Sequence, residues 1–214
     1  SKKENDEPLK FLSYFENVNT PIPKPNWLIP GLIMRNTVFM IAGFGGSGKS
    51  SLSVLLGITG AHHLKSFMGR DVPYPFSTLI MNQEDTMDQL RLKASAYKKH
   101  FKLTKPVVQG EIFENTDQKI CDITFVSGAE KKFTLGKFTK DILKTTPHYE
   151  EIRNKVLEKN IDLIIVDPFI LLFEGINENE ASHVSAAMKI LLELGAQTNA
   201  AVIVIDHISK ASLN

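Results

Sequence analysis

The stretch GFGGSGKSS, residues 43–51, directly follows the apolar run TVFMIA, residues 37–42. Its spacing matches the phosphate-binding pattern G-x-x-x-x-G-K-[ST], which should follow a strand and open a helix. The residues at the fixed positions are Gly43, Gly48, Lys49 and Ser50. Residues 37–42 are short and apolar, as in a buried strand, and residues 52–64, LSVLLGITGAHHL, carry apolar side chains at helical intervals. The sequence therefore predicts a strand, a phosphate-binding loop and a helix in succession.

The predicted loop has the groups that a triphosphate requires. Its glycines let backbone N–H groups point inward, and the start of the helix adds the positive end of its dipole. Lys49 should reach the β- and γ-phosphates, and the Ser50 hydroxyl should ligate Mg²⁺. We therefore expect ATP, or another nucleoside triphosphate, together with Mg²⁺. We expect the residues that surround the triphosphate to be Gly43, Gly45, Gly46, Ser47, Gly48, Lys49, Ser50 and Ser51. Among them, Ser47 and Ser51 have no required role and are small enough for the loop.

Composition excludes several other classes of protein. With 214 residues, 43% of them hydrophobic, the chain can bury the core of one domain. It has no apolar stretch near 18 residues, which excludes a helical membrane span, and SKKENDEP at its start is too charged for a secretory signal. The single cysteine, Cys121, excludes an intrachain disulfide and favours the cytoplasm. With 25 Lys and Arg against 24 Asp and Glu, a strongly basic nucleic-acid coat is not expected, although local basic surfaces are allowed.

The order of elements predicts an α/β fold. Residues 1–26, with Pro21, Pro23 and Pro25, are expected to form an N-terminal tail or linker, and residues 27–214 the folded core. Within the core, strands alternate with helices, and continuous apolar strands of this kind form a mostly parallel sheet with helices on both faces. The predicted strands are 37–42, 77–82, 162–166 and 201–205. The predicted helices begin at 48 and cover 86–101 and 181–198.

Residues 103–147 interrupt this alternation. KICDITFV, residues 119–126, alternates in polarity, SGAE offers a turn, and KKFTL, residues 131–135, resembles a return strand. The pattern predicts a β-hairpin insertion.

Asp167 closes the apolar run IDLIIVD, residues 161–167. In an open α/β sheet, ligands bind at the carboxyl ends of the strands. Asp167 should therefore meet the Mg²⁺ held by Ser50, usually through water. An aspartate at the end of a strand can otherwise serve as a helix cap or turn residue.

Glu84 is the candidate for orienting the attacking water. Pro168, and no glutamate, follows Asp167, whereas Glu84 ends the strand in TLIMNQED, residues 78–85. If this strand lies beside the phosphate-loop strand, Glu84 faces the γ-phosphate. The alternative is that Glu84 or Asp85 only caps the next helix, and the two can divide these tasks, with Asp85 as the cap.

His207 follows the apolar strand in VIVIDHISK, residues 202–210. We expect it to act as a sensor that hydrogen-bonds the γ-phosphate or Glu84 and repositions the following loop on hydrolysis. A polar residue at a strand end is otherwise a satisfied structural group.

The segments GFGGSGKS, NQED, IIVDPF, FEGINENEAS and VIDHISK together resemble the RecA-type ATPase core, and most closely the RepA-like replicative helicases of plasmids and bacteriophages. The resemblance covers residues 27–210 and implies that residues 27–214 form a RecA-like ATPase core. It implies a ring, usually a hexamer, that hydrolyses ATP at subunit interfaces and moves single-stranded DNA through its centre. By this similarity the roles above fall to Lys49, Ser50, Glu84, Asp167 and His207. Loops with Asn177, Glu178, Asn179 and Lys210 would face the hole of the ring.

Two departures from the family keep other readings open. No arginine follows Arg153, whereas the family supplies an arginine finger from beyond the sensor strand. Either Lys210 takes that role or the finger lies past Asn214, in which case the core is incomplete at its C-terminal end. The near-neutral charge and the insertion also weaken the DNA assignment. One alternative is a recombinase-like or regulatory ATPase without unwinding activity. A small-molecule kinase is less favoured, because it would be expected to have an arginine-rich lid and the chain has only four arginines.

Overall fold

The computed structural model describes residues 10–13, 15, 19–22, 24–104, 108–109, 119–140 and 142–207. Its strands are β1 (Trp27–Ile29), β2 (Ile33–Met34), β3 (Val38–Gly43), β4 (Ser66–Phe67), β5 (Arg70–Asp71), β6 (Thr78–Asn82), β7 (Val108–Gln109), β8 (Lys119–Ile120), β9 (Ile123–Ser127), β10 (Gly136–Thr139), β11 (Ile142–Thr145), β12 (Leu163–Asp167), β13 (Phe173–Glu174) and β14 (Ala201–His207). Its α-helices are α1 (Lys49–Ala61), α2 (Met87–His100), α3 (Pro147–Glu158) and α4 (Ala181–Thr198), and a 3₁₀ helix covers Phe169–Leu172.

The central sheet has five parallel strands in the order β3, β14, β12, β6, β9. The predicted parallel sheet of an α/β RecA-like ATPase is confirmed, and the predicted strand ends differ by one or two residues. The register aligns the carboxyl ends of the strands, with His207 opposite Gly43 and Asp167 opposite Asn82. The polar residues predicted for the site are therefore gathered at one edge of the sheet.

Both faces of the sheet are covered because its strands are apolar on both sides. In β12, Ile164 and Val166 pack into one apolar cluster, while Leu163 and Ile165 pack into another on the opposite face. Helices α3 and α4 cover the first cluster and α1 covers the second. Burial of each such side chain stabilises the fold by about 1.5–3 kcal/mol. Because the strands are buried on both faces, the edge of the sheet that carries the polar residues is held in place.

The hairpin insertion is present, but the strands predicted for it are wrong. Residues 123–127 form β9, an edge strand parallel to β6, because Ile123 and Phe125 pack against the apolar cluster under α1. Residues 131–135 do not form a strand, and the buried Leu135 donates its N–H to the Leu172 carbonyl. The inserted hairpin is β10 with β11, which pairs Phe138 with Leu143, and β7 pairs antiparallel with β8 in the same segment. A fifth parallel strand was therefore misread as part of the insertion.

Helix α3 was not predicted. It begins with Pro147 at its first turn, after the extended Thr146, as is common at helix starts. Its buried residues Tyr149, Ile152 and Val156 follow the i, i+3, i+7 spacing of one helix face. That spacing is visible in the sequence and is the signal that could have identified the helix.

Most of residues 1–26, including Pro23, and the segment 208–214, including Lys210, lie outside the described residues, so the tail assigned to 1–26 stays a prediction. Among the helices that are described, none has the length and apolar character needed to cross a membrane.

Candidate functional site

The glycine-rich loop joins the end of β3 to the start of α1. Gly46 and Gly48 have φ angles of 75° and 86°, in the left-handed region that glycine adopts most readily. A Cβ atom added to Gly45, Gly46 or Gly48 would meet no atom of the described residues within 4 Å, which leaves space beside the loop for a ligand. Helix α1 has no side-chain cap and no acidic residue in its first turn. Its first N–H groups therefore have no acceptor from a capping or first-turn acidic side chain, which favours binding of an anion.

Lys49 folds back across this loop and is 8% exposed. Its Nζ donates hydrogen bonds to the carbonyl oxygens of Gly43 at 2.6 Å and Phe44 at 2.8 Å, and lies 3.5 Å from Ser47 Oγ. The ammonium is thus held inside the concave loop by backbone oxygens. Phosphate oxygens can take the place of these carbonyls, as the prediction for Lys49 requires.

Asp167, the last residue of β12, is 1% exposed. Burial raises the pKa of its carboxyl group, while the Ser50 hydroxyl and the His207 charge act in the lowering direction. Its Oδ2 accepts a hydrogen bond from Asn82, and its Oδ1 is buried without a well-formed hydrogen bond among the described residues. A buried carboxylate with a spare oxygen beside a hydroxyl fits Mg²⁺, which prefers hard oxygen ligands.

Glu84 lies at the same edge of the sheet, but not for the reason expected from the sequence. The condition that its strand neighbours the phosphate-loop strand is wrong, because β14 and β12 lie between β3 and β6. His207 instead connects the two regions. It lies opposite Gly43 in the register, and its Nε2 is 4.0 Å from Glu84 Oε2. Both side chains are partly exposed, at 37% and 53%, and so are accessible to a ligand.

The helix cap assigned to Asp85 is wrong. Thr86 caps α2: its hydroxyl accepts from the Gln89 N–H, and the Gln89 side chain accepts from the Thr86 N–H. This is a capping box, and the spacing Thr-x-x-Gln is readable in the sequence. Asp85 instead forms an ion pair with Lys93, a residue that the sequence pattern did not single out. Glu84 is therefore not needed to cap α2.

The predicted loop residues Asn177, Glu178 and Asn179 lie between β13 and α4 and are exposed. Asn177 donates its backbone N–H to His183 Nδ1 at 3.1 Å, and its side chain accepts from the Asn179 N–H. His183 stacks on Phe138 of the hairpin with ring centroids 4.1 Å apart. This loop is thus packed against the inserted hairpin, and its role toward DNA stays a prediction.

Removing the charge of Asp167 should stabilise the ligand-free protein. Because the folded-state pKa is raised, the free energy of unfolding falls as pH rises from the ordinary value of 3.8 through the folded value, and the penalty remains at neutral pH. Asp167→Asn retains an acceptor for Asn82 without that charge. We expect its Tm in thermal unfolding to rise, by about 2–4 °C for each kcal/mol recovered.

Asp71→Asn, which changes an exposed carboxylate, is the matched control and should leave Tm unchanged. ATP with Mg²⁺ should stabilise the wild type more than Asp167→Asn. A lower Tm for ligand-free Asp167→Asn would contradict the burial argument.

A protein-family model described as an AAA domain matches residues 5–212. The matched range includes the glycine-rich loop, Glu84, Asp167 and His207. A search of curated proteins found no match.

Proposed function

Because this chain belongs to the AAA domain family of P-loop ATPases, we propose that it hydrolyses ATP with Mg²⁺ as a ring-forming motor on single-stranded DNA. In this proposal it is a helicase or translocase in plasmid or phage replication. Membership of the family supports nucleotide binding and ATPase activity in general. The finer assignment rests on the site residues and on the resemblance described above.

The proposed chemistry assigns one task to each residue. The N–H groups of the loop and Lys49 hold the phosphates, and Ser50 and Asp167 provide oxygen atoms for the cation. Mg²⁺, when bound, neutralises charge on the β- and γ-phosphates. Glu84 orients the attacking water and accepts its proton. His207 contacts Glu84 on one side and approaches the phosphate loop on the other.

The contact between His207 and Glu84 is the observation that carries the motor assignment. At 4.0 Å it is at the outer limit of an ion pair, so a change at the γ-phosphate can strengthen or break it. His207 lies at the carboxyl end of β14, directly before the segment that the resemblance assigns to the hole of the ring. Cleavage of ATP can therefore bias the position of that segment. The proposed ring, with a hexamer as the expected form, places a neighbouring subunit beside this site.

The balance of 25 basic against 24 acidic residues favours one alternative, a recombinase-like or regulatory ATPase that does not unwind DNA. A kinase is less well supported, because an arginine-rich lid would be expected and the chain has only four arginines, of which Arg35 is held in a largely buried ion pair with Asp162.

Steady-state ATP turnover with and without single-stranded DNA tests the proposal. We expect DNA to stimulate the full chain roughly fivefold or more, in the range of common coupling free energies. His207→Ala should lose this stimulation, whereas His100→Ala, at an exposed position of α2, should keep it. Separation of a forked duplex would distinguish a helicase from the regulatory alternative. Turnover that is indifferent to DNA would remove DNA as the partner, while leaving the ATPase in place.

A further inference from the structure

Asn82 connects the two carboxylate-bearing strand ends of the site. It is the last residue of β6, is 1% exposed and lies opposite Asp167 in the register. Its Nδ2 donates to Asp167 Oδ2 at 3.1 Å. Its Oδ1 accepts from the backbone N–H groups of Glu84 at 2.9 Å and Asp85 at 2.6 Å. One buried amide thus contacts both the metal-side aspartate and the turn that carries Glu84.

The orientation of this amide follows from its neighbours. Two backbone N–H groups require an acceptor, and only Oδ1 can serve them. The Nδ2 group therefore faces the carboxylates, with Asp85 Oδ2 at 3.4 Å in addition to Asp167. The backbone carbonyl of Asn82 is also bonded, since it accepts from the Gly128 N–H at 2.7 Å. These bonds fix both the residue and its side chain.

The asparagine side chain is long enough to accept from the N–H groups of Glu84 and Asp85 and to donate to Asp167 at the same time. An ionised aspartate at position 82 would accept from the two N–H groups but could not donate to Asp167. A serine could accept from the turn, as serines do in tight turns, but is one heavy atom shorter. Because Asn82 occupies Asp167 Oδ2, it also leaves Asp167 Oδ1 as the oxygen without a well-formed bond.

Glu84 depends on its backbone position because little else among the described residues holds it. Its side chain is 53% exposed, and the contact described for its carboxylate is the 4.0 Å approach to His207. Exposed pairs of this kind contribute only about 0–1 kcal/mol. The turn held by Asn82 must therefore set where the carboxylate can reach.

We propose that Asn82 is a positioning residue that fixes Glu84 relative to Asp167, so that the water-orienting and metal-side carboxylates keep a set separation. This inference rests on the proposed hydrolysis of ATP by Glu84. Asn82 acts through Glu84 and does not itself contact the reacting atoms. Loss of Asn82 should consequently lower kcat without weakening the binding of ATP, because the phosphate loop is built from β3 and α1.

The test is a double-mutant cycle with Asn82→Ala and Glu84→Gln. We expect Asn82→Ala to lower kcat roughly 10- to 100-fold, the scale of a misplacement near 1 Å, with little change in the Kd of a fluorescent ATP analogue. In the Glu84→Gln background the same change should cause no further loss, because the group that it positions is already absent. Asn82→Ser, which restores an acceptor for the turn, should recover part of kcat. Thr78→Val, at the buried opposite end of β6, is the control for a general disturbance of this strand and should keep kcat.

Failure of the proposed function and failure of the positioning role would give different results. A wild type without ATP turnover, or a Glu84→Gln variant as fast as wild type, would overturn the proposed function itself. Suppose instead that the wild type hydrolyses ATP and that Glu84→Gln is slow. The positioning role is then wrong if Asn82→Ala keeps the wild-type kcat, or if the two single losses multiply in the double variant. Should Asn82→Ala fail to fold by circular dichroism, Asn82→Ser is taken through the same cycle, in which its smaller loss of kcat should disappear in the Glu84→Gln background. A wild-type kcat for Asn82→Ser, or a loss that persists in that background, would then overturn the positioning role.

Discussion

Lys49→Ala is expected to abolish nucleotide turnover, with a fall of roughly 1,000-fold or more in kcat/KM. The Lys49 ammonium lies inside the loop, 2.6 Å from the Gly43 carbonyl oxygen and 2.8 Å from that of Phe44. It is therefore already placed where phosphate oxygens are expected. Alanine removes the positive charge that would bind the β- and γ-phosphates and offset charge in the transition state. The measurement is steady-state release of phosphate from ATP.

Lys189→Ala is the matched control, because it removes the same charge from an exposed position of α4. It should retain wild-type turnover. The fold of Lys49→Ala can be checked by its thermal unfolding, since loss of turnover has meaning only in a folded chain. A folded Lys49→Ala variant that hydrolyses ATP at the wild-type rate would remove the phosphate loop from the account.

The second large effect is expected for Glu84→Gln, which should bind ATP normally but hydrolyse it about 100- to 10,000-fold more slowly. The amide has the shape of the carboxylate and can still orient a water molecule, but it cannot accept a proton. Binding should persist because the groups that hold the phosphates lie on the glycine-rich loop between β3 and α1, and two strands separate β3 from β6. Single-turnover hydrolysis measured beside the Kd of an ATP analogue separates the two effects.

Glu151→Gln, at an exposed position of α3, provides the same chemical change away from the sheet edge and should leave both quantities unaltered. Unimpaired turnover by Glu84→Gln would show that another group prepares the water. Weak binding of ATP by this variant would instead indicate that Glu84 belongs to the ligand cradle.

The phosphate loop could be predicted from the sequence because its information is local. Gly48, Lys49 and the apolar strand before them are adjacent in the chain, and the loop conformation follows from glycines that adopt positive φ. The parallel sheet was likewise predictable, since β12 and β14 are apolar on both faces. Such patterns can be recognised without knowing which residues far apart in the sequence are in contact.

The order of the strands was not predictable in the same way. Glu84 was expected to reach the phosphates from a neighbouring strand, but two strands intervene, and His207 connects the regions. Which strands pair depends on contacts between residues far apart in the sequence. For the same reason β9 was misread: the alternation of residues 119–126 suits either a hairpin or a sheet edge, and the packing of Ile123 and Phe125 decides between them.

The position of Asn82 between the two carboxylates could not be predicted from the sequence. In the sequence it is a polar residue at the end of an apolar strand, which is common and carries little information. Its importance appears only when β6 and β12 are placed side by side, so that its amide meets Asp167 and the Glu84 turn together. The Thr86 capping box, by contrast, was readable, and recognising it would have freed Asp85 from the capping role.

The most direct test of the central claim is a structure of Glu84→Gln with ATP and Mg²⁺ bound. We expect the triphosphate under the N–H groups of the glycine-rich loop, with Lys49 at the β- and γ-phosphates and the metal ligated by Ser50 and held by Asp167 through water. The amide at position 84 should lie within about 3 Å of a water molecule aligned with the γ-phosphate. A triphosphate bound elsewhere, or a residue 84 too distant to contact that water, would show that these residues do not form the proposed ATPase site.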